Sequence, residues 1–261
     1  SEERKHKIWL GSLDYQINFN NDNSSFIAYG AWQNTDRNHY TGIFPDDPIA
    51  IENHLLNPPY GVSTTQTLQG GIQLNHKVND FLNGVNVFTF GAEYLSDEVF
   101  DEIDSYNYLI DQHTKNFGAF LQSDWAILPN VDLLSGVRFD KHNFVDTPLF
   151  SPRVALLYKY KENTQFRFSY GTGFRAPQAF DTDLHIAFSG GGVSRVIYDP
   201  NLFEERSESF STSINYDKAT EKFVAGFTLE AFYTKLNDAF ILENVGEDEF
   251  GEIFEKQNGS D

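Results

Sequence analysis

The chain has 261 residues, 19 basic against 38 acidic, for a formal charge of −19, and it contains neither cysteine nor methionine. That balance argues against a nucleic-acid partner, because phosphate binding relies on Lys and Arg, and the lack of cysteine excludes disulfides and thiolate metal sites. Aromatic residues make up 16% of the chain, chiefly 25 Phe and 13 Tyr, an excess that needs a surface to cover.

From the N-terminus, SEERKHKIWL is too charged to be a signal-peptide core, and no apolar run is long enough for a transmembrane helix. Beginning at Ser1 without methionine, the chain reads as a mature fragment. Its dominant periodicity is two. Alternating segments fall near 7–20, 24–37, 63–78, 85–97, 112–127, 131–145, 152–161, 164–174, 206–217 and 222–242. In the fifth, Phe117, Ala119, Leu121, Trp125 and Ile127 share one face, and Asn116, Gly118, Gln122 and Asp124 the other. In the sixth, Val131, Leu133, Val137 and Phe139 oppose Asp132, Gly136, Arg138 and Asp140. In the eighth, Phe166, Phe168 and Tyr170 oppose Arg167, Ser169 and Gly171, and the last long segment aligns Phe223, Ala225, Phe227, Leu229, Ala231 and Tyr233.

The connections are as informative as the segments. Short turns at 21–24, 78–84, 128–130, 161–163 and 217–221 alternate with longer ones, notably 38–62 and 175–205. In an antiparallel up-and-down order all short turns lie at one end and all long loops at the other, as in outer-membrane barrels. The predicted fold is all-β: an antiparallel up-and-down transmembrane β-barrel, present in part, with roughly ten strands of a larger barrel. Its apolar face meets lipid and its Gly-, Ser-, Asn- and Asp-rich face meets the lumen. The alternative is a soluble β-sandwich acting as a carbohydrate-binding or adhesion module.

Residues 151–240 carry motifs. Ser151-Pro152-Arg153 opens one strand, and Tyr170 through Pro177 closes the next as YGTGFRAP. Asp183-Leu184 comes next, and Pro200, Leu202, Glu205 and Ser207 lead into another strand. This set resembles the C-terminal half of a TonB-dependent outer-membrane receptor barrel, with Phe203 and Glu204 standing where that family more usually has Lys and Pro. The resemblance implies a location in the outer membrane of a Gram-negative bacterium. It also implies a barrel of about 22 strands with an N-terminal plug, and uptake of a scarce bulky nutrient, a ferric siderophore or other iron chelate or cobalamin. Implied partners are membrane lipid and lipopolysaccharide, the inner-membrane TonB complex acting through the plug, and, as a further candidate, a surface lipoprotein. Residues 1–261 read as part of the barrel domain without plug or closing strands, since the chain ends in EKQNGSD rather than in an aromatic strand. A passive or structural outer-membrane barrel is the second reading.

Candidate contact residues lie toward the long-loop end. Gly171 and Gly173 are expected to face the lumen, Pro177 to stop sheet pairing, and Arg175 to sit at the outer rim beside interface or loop acid. Loop 181–199 offers Asp181, Asp183, His185, Arg195 and Tyr198 near a triple glycine, as a ligand-gripping loop or an ordered packed one. The stretch 96–108 reads as a solvated acidic loop with Asp97, Glu98, Asp101, Glu102 and Asp104 beside Tyr106 and Tyr108. Calcium is the only metal these carboxylates suggest, and their spacing matches no standard calcium loop. Histidines without zinc spacing, no nucleophile elbow and no phosphate loop point away from an enzyme and from any other cofactor. Trp9, Trp32 and Trp125 are candidates for interfacial girdles.

Overall fold

The computed structural model describes residues 3–40, 45–178, 195–248 and 251–259. The alternating segments become long strands: β1 (Glu3–Phe19), β2 (Ser24–Tyr40), β3 (Tyr60–Phe81), β4 (Gly84–Ile103), β5 (Tyr108–Leu128), β6 (Val131–His142), β7 (Leu149–Tyr160) and β8 (Thr164–Arg175). After β9 (Arg195–Tyr198) come β10 (Glu205–Ala219), β11 (Val224–Asn237), β12 (Phe240–Asp248) and β13 (Gly251–Asn258), and one helix, α1 (Pro48–Leu56), joins β2 to β3. Ten strands form one sheet in the order β1-β2-β3-β4-β5-β6-β7-β8-β10-β11, every neighbour antiparallel. The other three form a small sheet, β12-β13-β9, in which β9 runs parallel to β13.

The two ends of the large sheet differ as their turns require. At one end the chain reverses tightly at positive φ, chiefly on Asn and Asp, which tolerate it: Asn20, Asn21 and Asp22 in one turn, and Asn83 beside Leu82 in another. At the other end lie α1, the single-turn 3-10 helix Asp104–Tyr106, the 143–148 connection and the small sheet. The sheet is built inside out. Phe168 is 51%, Phe210 50% and Leu229 62% exposed, while Ile103, Val145, Leu149 and Ala176 are the only buried hydrophobics among the described residues. Among the described residues no second sheet packs on the apolar face, as a soluble sandwich would require; strands with lipid-facing aromatics account for it.

Register fixes where that apolar face ends. The outward side chains Phe26, Leu74, Phe90 and Leu121 form one row across β2–β5, and two rows higher stand Gly30, Gly70, Tyr94 and Phe117. Next come Trp32, Leu68, Ser96 and Lys115, and then the wholly polar row Asn34, Gln66, Glu98 and His113. From Trp125 to Phe117 the outward face of β5 covers roughly 26 Å along the strand, which at a tilt of about 40° is about 20 Å of height and fits within an apolar band about 25 Å tall. Trp32 marks the outer limit of this band. At the opposite limit Trp125 packs edge-on against Phe81, 5.6 Å between ring centroids.

Several boundaries differ from the sequence reading. The stretch 96–108 is not a loop: β4 continues to Ile103, and only Asp104–Tyr106 turns before β5. The connection 38–62 contracts because β2 and β3 pair as far as Tyr40 and Tyr60, and it contains α1. Residues 78–84 shrink to the two-residue turn at Leu82 and Asn83, the segment 131–145 stops pairing at His142, and 222–242 breaks at Asp238, whose φ is 56°. The 175–205 connection contributes β9, and β12 and β13 form a hairpin beyond β11. Ala176 of the Phe-Arg-Ala-Pro run has a packing role, buried against Val145 and Leu149 with Phe174 alongside.

Candidate functional site at the outer mouth

Strands β2 to β5 contain 17, 22, 20 and 21 residues, whereas β6, β7 and β8 contain 12 each. A tilted strand needs about 9–11 residues to cross the hydrocarbon, so the first group projects well beyond the membrane and the second ends at its rim. On the lumen side of the projecting part, alternation brings Arg37 and His39 of β2 together with Asp101 of β4 and Tyr108 of β5. Arg37 Nη2 donates to Asp101 Oδ2 at 3.4 Å, and His39 Nε2 lies 3.9 Å from Asp101 Oδ1. Asp101 is only 5% exposed, so the guanidinium offsets a charge that water scarcely reaches.

Two phenols flank this pair. Burial pushes the Tyr108 hydroxyl well above the ordinary tyrosine value, and the Asp101 carboxylate pushes it further; Tyr198 of β9 is near enough to add to the shift. Burial also raises Tyr106, and Tyr40 contributes. Both therefore remain neutral hydroxyls at neutral pH.

Across the mouth, Arg175 holds the small sheet to the rim. Its Nη2 donates to Glu205 Oε2 at 2.9 Å, and the same oxygen accepts from the backbone N–H of Phe240 at 3.0 Å. The Phe240 ring lies 4.9 Å from the Arg175 guanidinium and 4.8 Å from Lys256 Nζ, so two cations grip one aromatic ring. Lys256 is 2% exposed. Asn258 completes the joint: its Nδ2 donates to the carbonyls of Phe203 and Asp238, and its Oδ1 accepts from Phe203 N at 3.1 Å.

Below the mouth the lumen wall carries a charged network. Tyr29 donates to Glu93 Oε1 at 2.6 Å, and Arg138 bridges Glu93 Oε2 at 2.6 Å and Asp140 Oδ2 at 2.9 Å. Asn116 donates to Asp140 Oδ1 at 2.9 Å. Gly71 and Gly118 make room for it, since a Cβ on Gly71 would enter the Tyr29 ring and one on Gly118 the Arg138 guanidinium. Beside the network is a recess of about 500 Å³ whose lining includes Gln73, Glu93, Phe120 and Arg138.

Of the residues singled out from sequence, Asp101, Tyr108 and Tyr198 come together, with Tyr106 near Tyr40 on the adjoining 3-10 turn. Arg175 stands at the rim, and its acidic partner is not on a loop: Glu205 is the first residue of β10 and sits directly opposite it across the β8–β10 pairing. The five carboxylates do not converge: Asp97 and Asp101 alternate with the outward Glu98 and Glu102, and Asp104 begins the 3-10 turn. Glu98 approaches His113 at 3.4 Å, and no group of three or more His, Asp or Glu placed to hold a metal occurs among the described residues. Asp181, Asp183 and His185 lie outside the described residues, and so does the side chain of Arg195, whose backbone pairs with Ile253. Sequence reasoning passes over Arg37, His39, Phe240 and Lys256. The alternation of NTDRNHY puts the first two on one face, but nothing local identifies Asp101 as their partner.

A membrane-spanning antiparallel sheet with an apolar outward face and a polar inner face, carrying paired charges and phenols at its outer end, defines part of the wall of an outer-membrane β-barrel. Sequence comparison agrees: the model of the TonB dependent receptor-like β-barrel matches residues 3–258, and the chain belongs to this family of Gram-negative outer-membrane proteins. Among solved structures, a variant of the ferric enterobactin receptor of Pseudomonas aeruginosa in complex with enterobactin superposes with a TM-score of 0.72 at 16% identity, covering 98% of this chain and 40% of that one. The siderophore receptor PirA of Acinetobacter baumannii gives 0.71 at 14%, covering 98% and 41%. The copper transporter OprC gives 0.71 at 13%, covering 97% and 40%. At these identities the likeness concerns the fold. The chain spans about two-fifths of the length of these structures. No curated protein sequence matches it significantly.

Proposed function

We propose that the chain is the wall sector of a TonB-energised receptor that captures a scarce, bulky nutrient at its outer mouth and passes it inward, the cargo being an iron chelate such as a ferric siderophore, or cobalamin. The observation that carries this reading is the mouth itself, where Arg37, Asp101, Tyr108 and Tyr198 face the lumen beyond the membrane. Neutral phenols there offer hydrogen-bond donors and aromatic faces, and the paired guanidinium keeps that part of the mouth close to neutral. Tyr106, Arg175 at the rim, and Asp181, Asp183, His185 and Arg195 of the 175–205 connection are further candidate contacts. Binding rather than chemistry fits the described residues of the mouth, a salt-bridged carboxylate beside neutral phenols. The siderophore and copper receptors that share the fold are consistent with metal-complex cargo. In the whole protein a plug and the TonB complex would supply the coupling, and lipid with lipopolysaccharide would surround the wall.

Growth of a deletion strain on limiting iron and on limiting cobalamin tests the reading. A defect on one medium, rescued by the full-length gene and not by a Tyr108→Ala, Tyr198→Ala version that still inserts, is the expected result. Normal growth on both would favour the passive barrel.

A further inference from the structure

The outward face of the projecting strands becomes apolar a second time. Above the polar row Asn34, Gln66, Glu98 and His113 lies another containing Asp36, Thr64, Phe100 and Asp111, and beyond it Val62 and Leu109 flank Glu102. At the tip Tyr60 packs edge-on to Tyr40, ring centroids 5.3 Å apart. Helix α1 adds Ile49, Leu55 and Leu56, which are 72%, 65% and 78% exposed; Tyr60, Val62 and Leu109 are each more than half exposed. The helix buries none of its residues. It is nevertheless held in place: Asp47 caps it by accepting from Ile49 N and Ala50 N at 3.0 Å each, and His54 meets the Tyr40 ring edge-on. Ile49 and Leu56, seven residues apart, share one face of it.

Lipid does not explain this zone. Val62 lies six residues beyond Leu68, roughly 20 Å farther along the strand, with one wholly polar row and one polar but for Phe100 between. At that height the surroundings are water and sugar, where apolar surface is left exposed at a cost unless something covers it. Charge narrows what the cover is. Residues 45–60 contain Asp46, Asp47 and Glu52 and no Lys or Arg, and residues 96–111 contain Asp97, Glu98, Asp101, Glu102, Asp104 and Asp111, again without Lys or Arg. Asp97 and Asp101 face the lumen, and Lys5 and Lys7 of β1 stand on the outward face beyond β2, opposite Asn38 and Asp36. Around α1 and the tip of β3–β5, Asp46, Asp47, Glu52, Glu98, Glu102, Asp104 and Asp111 leave an acidic surround to an apolar centre, the composition of a protein interface with a polar rim.

We propose that α1 and the outward tip of β3–β5 form a docking surface for a second protein whose contact patch is apolar at its centre and ringed by Lys and Arg. The inference rests on the outward face alone and holds whatever cargo the mouth takes.

The test places a photo-crosslinking residue at Leu56 of the full-length receptor in intact cells. An adduct with another protein is expected, mapping to a peptide with apolar residues flanked by Lys or Arg. Its yield should fall about tenfold when Glu52 and Glu102 are both changed to Lys, with insertion of the receptor unchanged. Three results would overturn the proposal: an adduct with lipopolysaccharide, a crosslink only within the receptor, or no adduct at all. A protein adduct whose yield is indifferent to the two charge reversals would overturn it too.

Discussion

Strands β2 to β5 and strands β6 to β8 share one wall but do different work. The shorter group alternates apolar and polar residues just far enough to cross the bilayer, and its ends are pinned by the small Val145, Leu149 and Ala176 cluster. The longer group crosses with the same pattern and then continues as a two-faced sheet in water, building the mouth on one face and the acidic apolar tip on the other. What spans the membrane is therefore generic, and what distinguishes this chain lies in the extra length.

Arg138 ties the two groups together, so its loss should have the largest effect. Arg138→Ala leaves Asp140, whose side chain is 1% exposed, without its cation and removes a partner of Glu93. A loss of about 3 kcal/mol is expected, read as a lower urea midpoint of the full-length receptor in detergent. A matched pair sharpens the comparison next. Phe168→Asp puts a charge on the lipid face of a short strand and should cost roughly 2 kcal/mol and impair insertion, whereas Phe100→Asp, on the outward face among polar rows, should insert normally. Equal failure of both on a heat-modifiability gel would break the distinction between wall and projection.

Arg175→Ala should cost about 1–2 kcal/mol locally. It would free the small sheet, so that limited proteolysis cuts near Asp238 while the urea midpoint of the wall hardly moves. The smallest effect concerns pH. Tyr108 has its folded pKa raised above the ordinary 10.0, so an unfolded chain releases this proton first. The stabilisation from the retained proton is complete below pH 10 and is lost as pH rises toward the higher folded value. Tyr108→Phe should therefore flatten the decline of stability above pH 10, and an unchanged decline would mean the phenol is not buried.

Much of the wall is legible because a membrane barrel reads out its period directly: Phe117, Leu121 and Trp125, or Phe166, Phe168 and Tyr170, fall on one face without help from distant residues. Lengths are less legible, since beyond Ser96 the outward side chains turn polar and an acidic strand resembles an acidic loop. Helix α1 has its signal in Asp47-Pro48, a cap and then a proline at the first helical position, and a stop in Asn57-Pro58-Pro59. A search for period two passes over it, because one short helix inside a long connection leaves the alternation on either side intact. The mouth is the least legible part. Asp101 and Tyr108 stand out by composition, yet their partners Arg37 and Tyr198 come from β2 and β9, and only register and the parallel pairing with β13 bring them near.

That parallel pairing bears on the order of assembly. In the wall each strand lies beside the next wall strand in the sequence, so it can form hairpin by hairpin as the chain arrives. Strand β9 must wait: its partners Ile253 to Lys256 follow Arg195 to Tyr198 only after the whole of β10, β11 and β12. Such non-local contacts form slowly because a long loop must close before they gain anything. The small sheet is thus finished after the wall beside it, and a chain halted before β13 would leave Arg195 to Tyr198 without their strand partner.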